Sequence, residues 1–198
     1  MQMAMNTGYA VRPLKGEVLC GDVGAWWQLP QRRILALADG LGHGPAAHHA
    51  AQEAMQCIAR HGQDSCCDIF SACNDSLIGT RGVVLAIGLI DQVSNLLTLG
   101  SIGNIRAILL QSCGHVRLGA GRGIVGAGYT WTAPDQVLLA PGDTLLMFSD
   151  GIDENVEAST ARVRKYSECF RIRLHDTCCM VLTNEPDLLR QLWLANNA

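Results

Sequence analysis

The chain reads as α+β, a strand-dominated core with few helices. Two observations carry that class. Short apolar runs recur along most of the sequence, joined by turns too brief to hold crossover helices, so neighbouring strands are antiparallel. Helical periodicity is confined to two early blocks and one or two late ones. No linker, internal repeat or low-complexity segment interrupts the 198 residues, and a single domain over 1–198 is expected.

In order, residues 11–16 read as an opening strand, followed by 17–22, where apolar Val18 and Leu19 run into Gly21-Asp22. Trp26 to Leu29 form a second strand, Pro30-Gln31-Arg32-Arg33 a turn, and 34–38 a third strand of five apolar residues. Residues 45–60 form a helix: Pro45 suits a first turn, and Ala46, Ala47, Ala50, Ala51, Ala54, Met55, Ile58 and Ala59 make a stripe of small side chains suited to close packing on a sheet. After Gly62, Asp64 or Ser65 caps a second helix running to about residue 77. Strands follow at 82–90, 95–99, 104–110 and 116–118, then a loop over 119–128 with five glycines. Residues 136–139 and 144–148 pair as a hairpin about Pro141-Gly142. Further on, 152–165 is polar and helical, 170–174 and 178–182 are strands, and 186–196 is a terminal helix.

Hydrophobic residues make up 48% of the chain, enough for a substantial core, while charged residues at 17% leave apolar surface that a partner can cover. A net charge of −3 without any basic stripe speaks against nucleic-acid binding. No apolar run is long enough to span a bilayer and no secretory pattern opens the chain. Nine cysteines, with adjacent pairs at Cys66-Cys67 and Cys178-Cys179 and no C-x-x-C, point to reduced thiols in the cytoplasm rather than to a zinc site.

The chemistry-bearing stretch is Ala38-Asp39-Gly40-Leu41-Gly42-His43-Gly44, where an apolar strand hands a carboxylate to a glycine-rich turn. Asp22 follows Val18 to Gly21, and Asp150, itself followed by Gly151, ends the run 145–149. Asp176 lies between two apolar segments. Strand-end carboxylates at separated points can converge on one sheet edge, where their mutual repulsion calls for cations. Carboxylate and backbone carbonyl oxygens suit Mg²⁺ or Mn²⁺, and two such ions would bridge a water and a phosphoryl group.

With these pieces in place, the chain resembles the metal-dependent protein serine/threonine phosphatases (PPM), in their bacterial SpoIIE-like branch, and there the small single-domain phosphatases of the stressosome. The matching segments come in family order: Cys20-Gly21-Asp22, Ala38 to Gly44, Leu99-Gly100-Ser101-Ile102-Gly103-Asn104, Gly123-Ile124-Val125-Gly126, and Leu139-Ala140-Pro141-Gly142-Asp143 leading to Phe148-Ser149-Asp150-Gly151. The resemblance implies two packed antiparallel β-sheets flanked by α-helices, with a two-metal cleft at one edge taking Mn²⁺ or Mg²⁺. By position, Asp39 would bridge both ions, the Gly40 carbonyl would bind one, Asp150 the other, and Asp22 an ion or its water. Attack on phosphorus would be in line, without a covalent phosphoenzyme. Implied substrates are phosphorylated STAS-domain proteins of the stressosome, or an anti-sigma-factor antagonist. The family closes its site with Asp-Asp or Asp-Asn, then a small residue and Thr, on a late strand. Here His175-Asp176-Thr177-Cys178 stands in that place, so one alignment makes Asp176 the ligand and the other His175.

Three competing patterns carry less. Gly121-Arg122-Gly123-Ile124-Val125-Gly126 matches G-x-G-x-x-G with Asp143 downstream, but the sequence after it, reaching Pro134, cannot open the helix a dinucleotide site needs. His48 and His49, with Glu53, read as a helix face. His43 lies in the glycine turn, where it either protonates the leaving Ser/Thr oxygen, holds water, or is a plain turn residue. Two functions of different kind remain: an active phosphatase, and a weakly catalytic or non-catalytic binding module that keeps the fold.

Overall fold

The computed structural model describes residues 6–151 and 177–183. The described elements are β1 (Asn6–Arg12), β2 (Asp22–Gln28), β3 (Arg32–Gly40), α1 (Gly44–Arg60), α2 (Cys66–Ser76), β4 (Val83–Asp91), β5 (Leu96–Ile102), β6 (Arg106–Gln111), β7 (Gly114–Leu118), β8 (Arg122–Ile124), β9 (Gly128–Thr130), β10 (Asp135–Leu138), β11 (Thr144–Phe148) and β12 (Thr177–Thr183). They form one sheet ordered β10-β5-β4-β3-β2, a second ordered β1-β12-β11-β6-β7, and a β8-β9 ribbon. Every described pairing between these strands is antiparallel, as the short connections predict.

The layers follow from the side-chain alternation of β3. Ile34, Ala36 and Ala38 face a core shared with Ala50, Ala54 and Ile58 of α1 and Ile69, Phe70 and Cys73 of α2. Leu35 and Leu37 face the other way, into a core shared with Ala107, Leu109, Leu145, Met147 and Met180 of the second sheet. A strand buried on both faces needs an unbroken apolar run, which is why 34–38 shows no polar alternation. The stack is thus helices on sheet on sheet. Helix α2 begins at Ser65, whose Oγ accepts from the Asp68 N–H at 3.2 Å, the cap expected of that residue. Among the described residues no helix is long and apolar enough to cross a membrane.

Four readings change. The opening strand lies at Asn6–Arg12 rather than 11–16, because its ladder is set by β12, from Asn6 opposite Thr183 to Arg12 opposite Thr177. Asp22 begins β2 rather than ending a strand over 17–22, and Val18 is 91% exposed. Residues 136–139 and 144–148 are not a hairpin: β10, at Asp135–Leu138, pairs with β5 in one sheet and β11 with β6 and β12 in the other, so Pro141-Gly142 carries the chain between sheets. Asp143 fastens that turn, its Oδ2 accepting from the Ala140 N–H at 3.0 Å and from Gln111 Nε2 at 3.2 Å. The stretch expected as a glycine-rich loop over 119–128 supplies β8 and leads into β9, and the β8-β9 ribbon is bridged to the main sheet at Val83–Val125 and Ile102–Gly121. The strand expected over 178–182 is β12; the segments expected over 152–165, 170–174 and 186–196 lie outside the described residues.

Candidate active site

Antiparallel pairing brings the start of β2 and the end of β3 to the same edge, with Asp22 directly opposite Asp39. Directly opposed residues project from the same sheet face. Asp39 keeps the alternation of Leu35 and Leu37, so both carboxylates belong to the face between the two sheets, at the edge where the sandwich opens. A cleft of 630 Å³ opens there, lined by Asp22, Asp39, His43, Asn104, Arg122 and Asp150, with walls from Leu14, Leu41, Val84 and Ile124. The structure therefore gathers Asp22, Asp39, His43 and Asp150 on one cleft. Asp176 and His175 lie outside the described residues.

Each carboxylate is held differently. Asp22 is 2% exposed, and its Oδ2 accepts from Ser149 Oγ at 2.6 Å, a charge-assisted bond between the first sheet and the end of β11. Asp39 is partly buried. Asp150 is exposed on the rim, and its Oδ2 accepts from Asn104 Nδ2 at 3.0 Å, which ties the β5–β6 turn to the end of β11.

Gly40, the next residue of β3 after Asp39, turns its Cα toward the helix side of this wall. It continues the helix-facing alternation of β3, and its N–H donates to the Gly21 carbonyl at 3.1 Å. A Cβ there would fall 2.1 Å from the Ala47 carbonyl oxygen of α1, so only glycine allows the helix to seat so closely. Seating α1 here fixes its cap residue, His43, over the cleft. The His43 Nδ1 lies 2.7 Å from Glu17 Oε1, with the side chains 61% and 27% exposed. A carboxylate only accepts, so Nδ1 carries the proton and Nε2 is left for other partners. His48, one turn into α1, serves structure: its Nδ1 donates to the Cys20 carbonyl at 2.7 Å, holding the approach to Asp22 against the helix. His49 is exposed.

Glu17, Asn104, Arg122 and Ser149 are the residues sequence reasoning did not assign. Ser149 and Asn104 lie inside segments that carry the resemblance, and Ser149 is next to the proposed ligand Asp150. Glu17 carries no local signal, and Arg122 sits inside the G-x-G-x-x-G match, whose glycines by themselves do not show that tertiary pairing brings it to the cleft.

The donors fit a hard divalent cation in kind. They are carboxylate oxygens, two of them fixed opposite one another, where like charges repel unless a cation lies between them. Among the described residues no three His, Cys, Asp or Glu side chains form a cluster able to hold an ion, and the further expected carboxylate, Asp176, lies outside them.

Comparison with known proteins places this arrangement. The model of the family "Stage II sporulation protein E (SpoIIE)" matches residues 30–186. The phosphoserine phosphatase RsbX of Bacillus subtilis is 28% identical over 101 residues, a match spanning 51% of this chain and 51% of RsbX, so about half the length of that relative. Among solved structures, a chain from work on the bacterial stressosome, described as a modular system adapted to control secondary messenger signaling, superposes with a TM-score of 0.80 at 29% identity, covering 91% of this chain and 99% of that one. RsbX in complex with magnesium gives 0.75 at 19% identity, over 90% of this chain and 94% of that one. The PP2C phosphatase domain of SpoIIE from Bacillus subtilis gives 0.77 at 18%, over 92% of this chain and 64% of that one, and these last two likenesses speak to fold. With the family model spanning most of its length, the chain belongs to the SpoIIE family of PP2C-type (PPM) phosphatase domains.

Proposed function

We propose that the chain is a metal-dependent phosphatase of phosphoserine or phosphothreonine in regulatory proteins. The observation that carries this is the register of β2 and β3, which opposes Asp22 and Asp39 on a cleft that Asp150 also lines. In this reading Asp22, Asp39 and Asp150 hold Mn²⁺ or Mg²⁺, two ions in all, with Asp176 as a further carboxylate and the Gly40 carbonyl as the backbone donor at the end of β3. When bound, such ions supply an activated water and a positive clamp on the phosphoryl oxygens.

The chain's own residues do the rest. Ser149 orients the Asp22 carboxylate, and Asn104 orients that of Asp150. Glu17 accepts from His43 Nδ1, so a ring that also carries a proton on Nε2 can deliver that second proton to the departing Ser or Thr oxygen and remain as the Nδ1–H tautomer. Leu14, Leu41, Val84 and Ile124 supply the apolar part of the cleft wall.

Phosphorylated STAS-domain proteins of a stressosome are the proposed substrates, supported by the likeness to the stressosome chain and to RsbX. The proposed compartment is the cytoplasm, supported by the thiols of Cys57, Cys66, Cys67, Cys73 and Cys113, which are in no disulfide. A binding module that retains the fold is the second reading, favoured by the missing three-ligand cluster among the described residues. The test is hydrolysis of a phosphoserine peptide with and without Mn²⁺, in the wild type and in Asp39→Asn. Turnover that needs the ion and fails in the variant supports the enzyme, whereas a folded protein that neither turns over nor binds Mn²⁺ supports the module.

A further inference from the structure

Resting on that reading, we propose that Arg122 is the residue that captures the substrate's phosphoryl dianion, presented by the β8-β9 ribbon on the cleft wall facing the carboxylates. Apart from His43, Arg122 is the one basic side chain lining the cleft among the described residues. It is exposed to the cleft. Three carboxylates line the same cavity, yet Arg122 takes part in neither the His43–Glu17 nor the His61–Asp64 ion pair. A guanidinium placed in an acidic cleft without neutralising any of it keeps its fork of donors for an incoming anion, and a phosphate matches that fork in two parallel bonds.

The ribbon is built to hold this residue in place. On one side the Gly121 N–H donates to the Ser101 carbonyl at 3.0 Å, and the Gly103 N–H donates to the Gly121 carbonyl at 3.1 Å. On the other, Val125 and Val83 exchange both backbone bonds, at 2.9 and 3.0 Å. Val83 and Val84 stand opposite Gly40 and Asp39 in the β3–β4 ladder, so the ribbon is pinned to the edge that carries the carboxylate. The approach is too close for side chains on either flank. A Cβ at Gly121 would meet the Ser101 carbonyl oxygen at 2.4 Å, and one at Gly123, whose φ is +108°, would meet the Gly128 carbonyl oxygen at 2.5 Å. The glycines of the G-x-G-x-x-G match thus have a different use from nucleotide binding: they press Arg122 against the cleft.

The experiment measures binding of inorganic phosphate to the Mg²⁺-loaded protein by titration calorimetry, alongside KM and kcat for a phosphoserine peptide. Wild type, Arg122→Ala, Arg122→Gln and Arg122→Lys are compared, with Arg60→Ala at the far end of α1 as the net-charge control. Arg122→Ala and Arg122→Gln are expected to weaken phosphate binding and raise KM by roughly 10- to 100-fold with a smaller change in kcat, as for loss of charge-assisted bonds. Arg122→Lys falls between them and wild type, since an ammonium offers charge without the fork. Phosphate binding and KM within twofold of wild type in either folded Ala or Gln variant would overturn the proposal, as would no phosphate binding by wild type or an equal loss in Arg60→Ala. Failure of the wild type to turn over, with phosphate still bound through Arg122, would overturn the phosphatase reading instead.

Discussion

Replacing Gly40 with alanine puts a methyl group where the backbone of α1 already stands. The new Cβ would lie 2.1 Å from the Ala47 oxygen, 2.6 Å from its carbonyl carbon and 2.9 Å from its Cα. None of these atoms can rotate away, so the helix must retreat from β3 by roughly 1 Å to reach ordinary van der Waals separation. Overpacking of this kind costs about 1–3 kcal/mol, and a backbone obstacle places it at the upper end. For a chain of this size each kcal/mol lowers Tm by about 2–4 °C, giving an expected drop of about 6–12 °C. Function suffers more than stability. Helix α1 begins at the glycine turn and carries His43 at its cap, and a displacement of about 1 Å in reacting groups can cost about 100-fold in rate. Thermal melts and Mn²⁺-dependent turnover of a phosphoserine peptide read both effects. A Gly40→Ala protein that melts within about 1 °C of wild type and turns over at the same rate would refute the close seating of α1 as the device that positions the site.

Three further outcomes follow from the geometry. Ser149→Ala removes the 2.6 Å bond to the buried Asp22 carboxylate and should lower unfolding free energy by about 1–3 kcal/mol in urea titrations; a change under about 0.5 kcal/mol would mean the bond does not join the sheets energetically. His43→Gln should slow a phosphoserine peptide by about 100-fold or more while barely affecting an aryl phosphate, whose leaving oxygen needs no proton, and equal losses on both would remove the proton-donor role. Burial, helped by the neighbouring Cys67, pushes the Cys66 thiol from its ordinary 9.0 up to about 12. The folded chain then keeps a proton that the unfolded chain releases, so this contribution is intact below pH 9 and is lost as pH rises toward 12, at up to about 1.4 kcal/mol per pH unit. Urea midpoints at alkaline pH should therefore fall more steeply for wild type than for Cys66→Ala, and parallel slopes would contradict the burial.

Where burial dictated the pattern, the fold could be read from the chain. Strand β3 and helix α1 stood out because one is covered on both faces and the other packs a stripe of alanines on the sheet. Asp39, Asp150 and the glycine turn were visible for the same reason, as polar interruptions of such runs. Long-range pairing was not visible. Strand β1 takes its register from β12, far along the chain, and nothing in 6–16 announces it. The local signature of Pro141-Gly142 is a tight turn whether the chain returns to the same sheet or crosses to the other. Val18 and Leu19 looked like the strand leading to Asp22, yet their apolar side chains are exposed, and the carboxylate reaches the edge because antiparallel β2 starts where β3 ends. Ribbon β8-β9 has strands of only three residues with a glycine in each, and its form comes from the sheet edge it is bonded to. Glu17 and Arg122 became site residues only through those same contacts.

The most direct test of the central claim is the Mn²⁺ dependence of phosphoserine-peptide hydrolysis by the wild type beside Asp39→Asn, with ion binding followed by calorimetry on the same samples. The account predicts that wild type binds the ion and releases phosphate only in its presence, and that the folded variant loses both. Undiminished turnover in Asp39→Asn, or hydrolysis indifferent to the ion in wild type, would contradict it.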